Sequence, residues 1–111
     1  MDEIDELVAQ VVDAVADGGG GAVLGLVRRS RPSRADIDHR LADYGRTFVR
    51  TPADYRDVID VVAVDGAPVP TWSVRAPLWT AQEGRSDLTA VLTVSRVDGK
   101  YLADLDDLLV L

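Results

Sequence analysis

The sequence has no cysteine, which excludes a disulfide framework and makes thiolate ligation of zinc impossible. No apolar run approaches the ~20 residues of a membrane-spanning helix. The opening Met1-Asp-Glu-Ile-Asp-Glu is acidic where a secretory leader is basic. No internal repeat is visible. The glycine run at residues 18–21 lacks both the preceding strand and the Lys-Ser/Thr pair that a phosphate-cradling loop needs, so it reads as an interhelix linker. These absences point to a soluble, unprocessed, cytoplasmic chain with no cofactor and no metal. At 111 residues it is expected to form a single α+β domain over residues 1–111, large enough to bury roughly two-thirds of its unfolded surface unaided.

Positive charge is also scarce. The formal net charge is -7, which disfavours sequence-independent nucleic-acid binding, because that depends on cations displacing counterions from phosphates. The charge is unevenly placed: residues 1–27 hold six acids and no base, residues 28–56 hold eight arginines against four aspartates, and residues 57–111 hold nine acids against four bases. The basic stretch Arg28-Arg29-Ser30-Arg31-Pro32-Ser33-Arg34 contains no aromatic residue to stack on bases, and reads as a solvated connection sooner than an anion site. An acidic protein of this kind suits a basic macromolecular partner.

What is present first is helical. Ile4, Leu7, Val8, Val11 and Val15 follow one helical stripe, and acids in the first turn complement the helix dipole. Four consecutive glycines carry too much backbone entropy to stay helical, so this helix is expected to end there. Ala22 to Arg29 predicts a second helix of two turns. Ser33-x-x-Asp36 resembles a capping box opening a third helix with Ile37, Leu41 and Tyr44 on its buried stripe and Gly45 past its end. Residues 47–50 suggest one short extra strand, residues 52–57 a turn, and the β-branched VIDVVAV at 58–64 a strand.

From Thr71 to Leu111 the chain reads as three antiparallel strands. Asp98-Gly99 favours a type I′ hairpin that pairs Val97 with Lys100, Val94 with Ala103 and Leu92 with Leu105. The same register sets Thr93 opposite Asp104 and Val91 opposite Asp106 on a wetter face. The expected fold is α+β, three N-terminal helices packed on a curved four-stranded antiparallel meander. Trp72, Val74, Ala76, Leu78, Leu88, Ala90, Leu92, Val94, Ala103 and Leu105 should face the helices, and Arg75, Thr93, Asp104 and Asp106 should not.

The first-helix stripe, the glycine break, Asp43-Tyr44-Gly45-Arg46 and the final DGKYLADLDDL resemble the nuclear-transport-factor-2-like (cystatin-like) cone domains, which wrap helices inside a strongly curved sheet. More narrowly, DYGR, TWSV and LWTAQEGRSDLT resemble a small bacterial domain family with no assigned function. The wider resemblance implies an isomerase, dehydratase or hydrolase cavity, a ligand-binding or dimerising module, or an immunity protein that blocks a toxin. None of the family's catalytic motifs aligns with this chain residue by residue, so no catalytic residue is carried over.

Tyr44, Arg46 and Asp60 with Trp72 and Trp79 are the candidate cavity constellation. The aromatics read equally as core anchors and the charged groups as ordinary ion-pair members. His39 shares a helix face with Asp43, but two groups are too few to define a metal site. Arg85 and Asp87 flank a polar connection between the central strands, where they either hold the loop through a salt bridge or contact a partner. Asp104 and Asp106, on the wet face, complete the candidate partner-binding set. The resulting expectation is a non-catalytic macromolecule-binding domain with a protein partner, in its narrow form an immunity-type inhibitor of a basic toxin, and with homodimerisation through the outer sheet face open. The alternative is a small-ligand carrier or enzyme using the cone cavity.

Overall fold

The computed structural model describes residues 2–111; Met1 lies outside them. Helix α1 spans Glu3–Leu24, opened by Asp2, whose carboxylate accepts the Asp5 N–H at 2.9 Å. Its stripe, Val8, Val11, Val12, Ala14 and Val15, is buried. An 18-residue window of α1 reaches a mean hydropathy of 1.3, enough by length and composition for a membrane span. In the fold that valine stripe lies in the protein's own core.

The glycine run bends α1 and does not end it. Gly19 adopts φ 62°, ψ -147°, a conformation only glycine takes readily, and the helix resumes from Gly20 to Leu24. Helix α2, Arg34–Tyr44, supplies the cap for this restart: the Asp38 carboxylate accepts the Gly20 N–H at 2.8 Å. A Cβ on Gly20 would lie 2.9 Å from the Arg34 carbonyl oxygen, so the bare backbone is what lets the two helices meet. The separate second helix expected at residues 22–29 is therefore absent. Its first residues complete α1, and Arg29–Ser30 forms a short strand, β1, parallel to the last strand.

The Ser33–Asp36 capping box and Gly45, at φ 68°, bound α2 as expected. A 3₁₀ turn over Tyr55–Val58 leads to β2 (Asp60–Ala63), followed by β3 (Thr71–Thr80), β4 (Gly84–Val97) and β5 (Lys100–Val110). The described residues form a five-stranded mixed sheet of order β1-β5-β4-β3-β2, with two α-helices, in place of three helices on a purely antiparallel meander. Residues 47–50 add one isolated bridge, Phe48 to Thr80, along the β3 edge. Of the connection expected at Glu83–Asp87, all but Glu83 belongs to the start of β4.

The Asp98-Gly99 hairpin pairs Val97 with Lys100, Val94 with Ala103, Thr93 with Asp104 and Leu92 with Leu105. One position then changes. Asp106 is bulged out, and Val91 faces Asp107. Strict alternation would have turned Asp107 toward the core; the extra residue turns Leu108 inward instead, and it is buried opposite Ala90. Val74, Ala76, Leu78, Leu88, Ala90, Leu92, Val94, Ala103 and Leu105 are buried against the helices, with Trp72 half-buried at the rim.

Two stability predictions follow from this packing. Leu92→Ala should cost about 2–5 kcal/mol in denaturant melts, whereas Thr93→Ala, which loses a hydroxyl bond to Asp106, should cost about 0.5–1.5 kcal/mol. Equal losses would contradict the register. Gly20→Ala should destabilise by about 1–3 kcal/mol through overpacking against Arg34 backbone. Gly21→Ala meets only the mobile Arg34 guanidinium and should be neutral or up to about 1 kcal/mol stabilising.

Candidate functional site

Between Pro77 and Trp79, β3 advances two residues while its partner runs from Thr89 to Arg85, so β4 carries surplus chain there. The surplus opens a polar hollow of about 260 Å³ on the outer side of the sheet, lined by Asp60, Arg75, Pro77, Arg85, Asp87 and Thr89 among others. Three of the sequence-derived candidates, Asp60, Arg85 and Asp87, thus come together, and a fourth charge, Arg75, joins them as the cross-strand neighbour of Asp60. None of the ion pairs formed among the described residues includes any of these four groups. Arg85 and Asp87 do not bridge each other.

The hydroxyls at the hollow are already engaged. Ser86 donates to the Leu88 carbonyl at 3.0 Å and Thr89 to the Asp87 carbonyl at 3.2 Å. Both hydroxyl protons are thus committed to main-chain carbonyls, and the one histidine is on α2. Two guanidiniums and two carboxylates around one hollow are chemically suited to binding: arginine forks onto carboxylate or phosphate, and aspartate accepts ammonium or guanidinium.

The remaining candidates are dispersed. Tyr44, at the end of α2, donates its hydroxyl to Glu83 at 2.9 Å and accepts the Asp87 N–H at 3.1 Å, tying α2 to the start of β4. Arg46 is exposed and reaches only the Gly45 carbonyl, at 3.3 Å. Trp72 packs on Tyr101, centroids 5.7 Å apart, while Trp79 meets Tyr55 edge-on at 5.9 Å near the other end of β3. Trp72 and Trp79 thus stand near opposite ends of β3, while Tyr44 borders a cleft beside α2 and Asp60 borders the hollow.

His39 Nε2 lies 3.5 Å from Asp43 Oδ2 on the exposed face of α2. No three His, Cys, Asp or Glu side chains are disposed to hold a metal ion among the described residues.

The acids of β5 have intramolecular partners. Arg28 donates two bonds to Asp104, at 2.8 and 3.0 Å, and Thr93 donates to Asp106 at 2.6 Å. Asp107 pairs with Arg40, which also donates to the Leu108 carbonyl at 2.9 Å, while Asp107 accepts the Leu108 N–H at 2.8 Å. Arg40 and Asp107 thus satisfy both backbone groups of Leu108 on the side where the short β1 no longer pairs. Beside them, α2 and the ends of β4 and β5 enclose a cleft of about 430 Å³ lined by Arg40, Tyr44, Leu88, Leu108 and Val110 among others. The sequence does not mark Arg75 or Arg40 as site residues; the β2–β3 register and the Asp106 bulge, which depend on distant chain, reveal them.

Hydrogen bonds from Arg28 hold the Asp104 carboxyl below its ordinary value of 3.8. A carboxylate depressed on folding stabilises the protein above its unfolded pKa, and that contribution fades as pH falls through the folded value. Asp104→Asn should therefore lower stability at pH 7, and the difference from the parent should shrink below about pH 4 in acid-dependent melts. A pH-independent difference would remove the ion pair as its cause.

A protein-family model described as Domain of unknown function (DUF7668) matches residues 12–111. No curated protein and no solved structure matches the chain.

Proposed function

The chain belongs to the DUF7668 family, and from the geometry of its own residues we propose that it is a non-catalytic domain that binds a protein partner through the hollow of Asp60, Arg75, Arg85 and Asp87. The observation that carries this reading is the convergence of four charged groups without internal ion-pair partners around a hollow whose hydroxyls donate to backbone. A partner segment bearing both charge signs fits that arrangement. The net charge of -7 favours a basic protein and speeds its approach, which keeps an immunity-type inhibitor of a basic toxin as the narrow form of the proposal. With Asp104 held by Arg28 and Asp106 by Thr93, the reading rests on the hollow in place of β5.

The resemblance to the cone domains supports a second reading. The 430 Å³ cleft is within the usual range for small-molecule sites and carries apolar side chains beside the Arg40–Asp107 pair. In that reading the protein carries a small, largely apolar ligand.

Affinity capture from the source cells, followed by binding kinetics, tests the first reading. Arg75→Ala with Arg85→Ala should weaken the captured protein by about tenfold or more while the melting temperature stays unchanged, since truncated charge pairs at interfaces cost a few kcal/mol. Association should slow as salt rises, with screening over about 8 Å at physiological ionic strength. Unaltered affinity in the double variant, or a small molecule in the α2–β5 cleft with no protein captured, would transfer the function to the cleft.

A further inference from the structure

The two edges of the sheet are treated differently by the chain. At the β5 edge, Arg40 and Asp107 occupy the Leu108 carbonyl and N–H, so a docking strand would have to displace them. At the opposite edge, β2 has no such cover. All four of its residues are exposed, and Val61, Val62 and Val64 are 37%, 55% and 43% exposed. Within its four residues β2 has no proline, no lysine and no bulge toward β3, and its one charge, Asp60, stands at its first position.

The register shows which backbone groups are open. Val64 donates its N–H to the Thr71 carbonyl at 2.9 Å, and antiparallel alternation then directs Val62 and Val64 toward β3 and Val61 and Ala63 away from it. Two open positions flanking one central residue form a self-complementary set. Turned about a two-fold axis through Val62, Val61 of one chain meets Ala63 of the other in two hydrogen-bonded pairs, and the two Val62 side chains face each other on the outer side.

Charge permits this pairing. Asp60 is the one charged residue between Val58 and Val64, and it lies opposite its own Arg75. In the two-fold arrangement each Asp60 meets Val64 of the second copy, so no like charges oppose and the outer-face row reads Arg75, Asp60, Val64, Thr71 across the junction. We propose that β2 is the interface of a symmetric dimer, pairing antiparallel with β2 of a second copy about Val62 and joining the two sheets into one. A junction of this length is small beside obligate interfaces, so the dimer should dissociate on dilution.

Because the chain has no cysteine, one introduced thiol reports the geometry without interference. Central non-hydrogen-bonded pairs hold Cα atoms about 4.5 Å apart, within disulfide reach. Under mild oxidation the full-length Val62→Cys variant should form a covalent dimer at least about tenfold faster than Val110→Cys, a thiol of similar exposure on the other edge. Sedimentation of the parent from about 1 to about 300 µM should show reversible dimerisation that strengthens with salt, since two chains of charge -7 repel. Val62→Lys should remain monomeric with its melting temperature unchanged. A parent monomeric throughout that range, equal cross-linking of the two cysteine variants, or dimerisation unaffected by Val62→Lys would each overturn the proposal. Salt separates this from the partner reading, because docking of a basic protein weakens where self-association strengthens.

Discussion

The bulge at Asp106 sets the parity of everything after it in β5, and much of the structure depends on that parity. Up to Leu105 the hairpin alternates cleanly, with Ala103 and Leu105 inward. Continued alternation would have placed Asp107 among Leu88, Ala90 and the α1 valines, where an unpaired carboxylate costs far more than a hydrogen bond returns. One extra residue reverses the order. Leu108 completes the core, Asp107 is left within reach of Arg40 on α2, and Asp106 is received by the Thr93 hydroxyl. The same local event thus supplies a core side chain, a helix–sheet tether and a closed sheet edge.

The junction of α1 and α2 is held by a comparable economy of parts. Gly19 bends the helix and Gly20 lets the Arg34 backbone approach, so that Asp38 can cap the resumed helix from outside. The bend directs the following chain to the sheet, where the Arg28 N–H meets the Ala103 carbonyl and the Arg31 N–H meets the Leu105 carbonyl. Arg28 then stands beside Asp104. Along the β3 edge the interval between the Phe48 bridge and β2 is covered from below by Tyr55, whose hydroxyl donates to the Pro77 carbonyl at 2.6 Å. Burial pushes that phenol well above its ordinary range, so it remains a donor.

Local chemistry was legible in the sequence, and chemistry that depends on distant chain was not. The Asp98-Gly99 turn, the Ser33–Asp36 box and the valine stripe of α1 each need only neighbours within a few residues, and each stands where the sequence places it. The glycine run misleads, because its entropy cost argues for a helix end, while its use, close approach to Arg34, belongs to another helix. The parallel strand at Arg29–Ser30 has too few residues for any pattern and exists because β5 is there to pair with it. Of the candidate site residues, Asp60, Arg85 and Asp87 line one hollow, Tyr44 and Trp79 adjoin it through the Asp87 N–H and the Arg85 pairing, and Arg46 and Trp72 make their contacts elsewhere. Periodicity assigns a face but does not say which end of a ten-residue strand two tryptophans occupy relative to a helix terminus.

Charge closes the argument about function. An acidic composition alone would nominate every exposed aspartate as a partner contact, yet those of β5 are engaged with Arg28, Arg40 and Thr93 and stabilise the fold. Four charges at the surplus turn of β4 are left without ion-pair partners, around a hollow whose hydroxyls are bonded to backbone. Charges without a close ion-pair partner keep hydrogen-bonding capacity free for something outside. The same reasoning applies to apolar surface: the valines of α1 are buried in the core, whereas those of β2 are exposed among the described residues. Both the uncommitted charges and the exposed valines lie on the β2 side of the molecule, with Asp60 common to the two, so the two proposals rest on the same side of the fold.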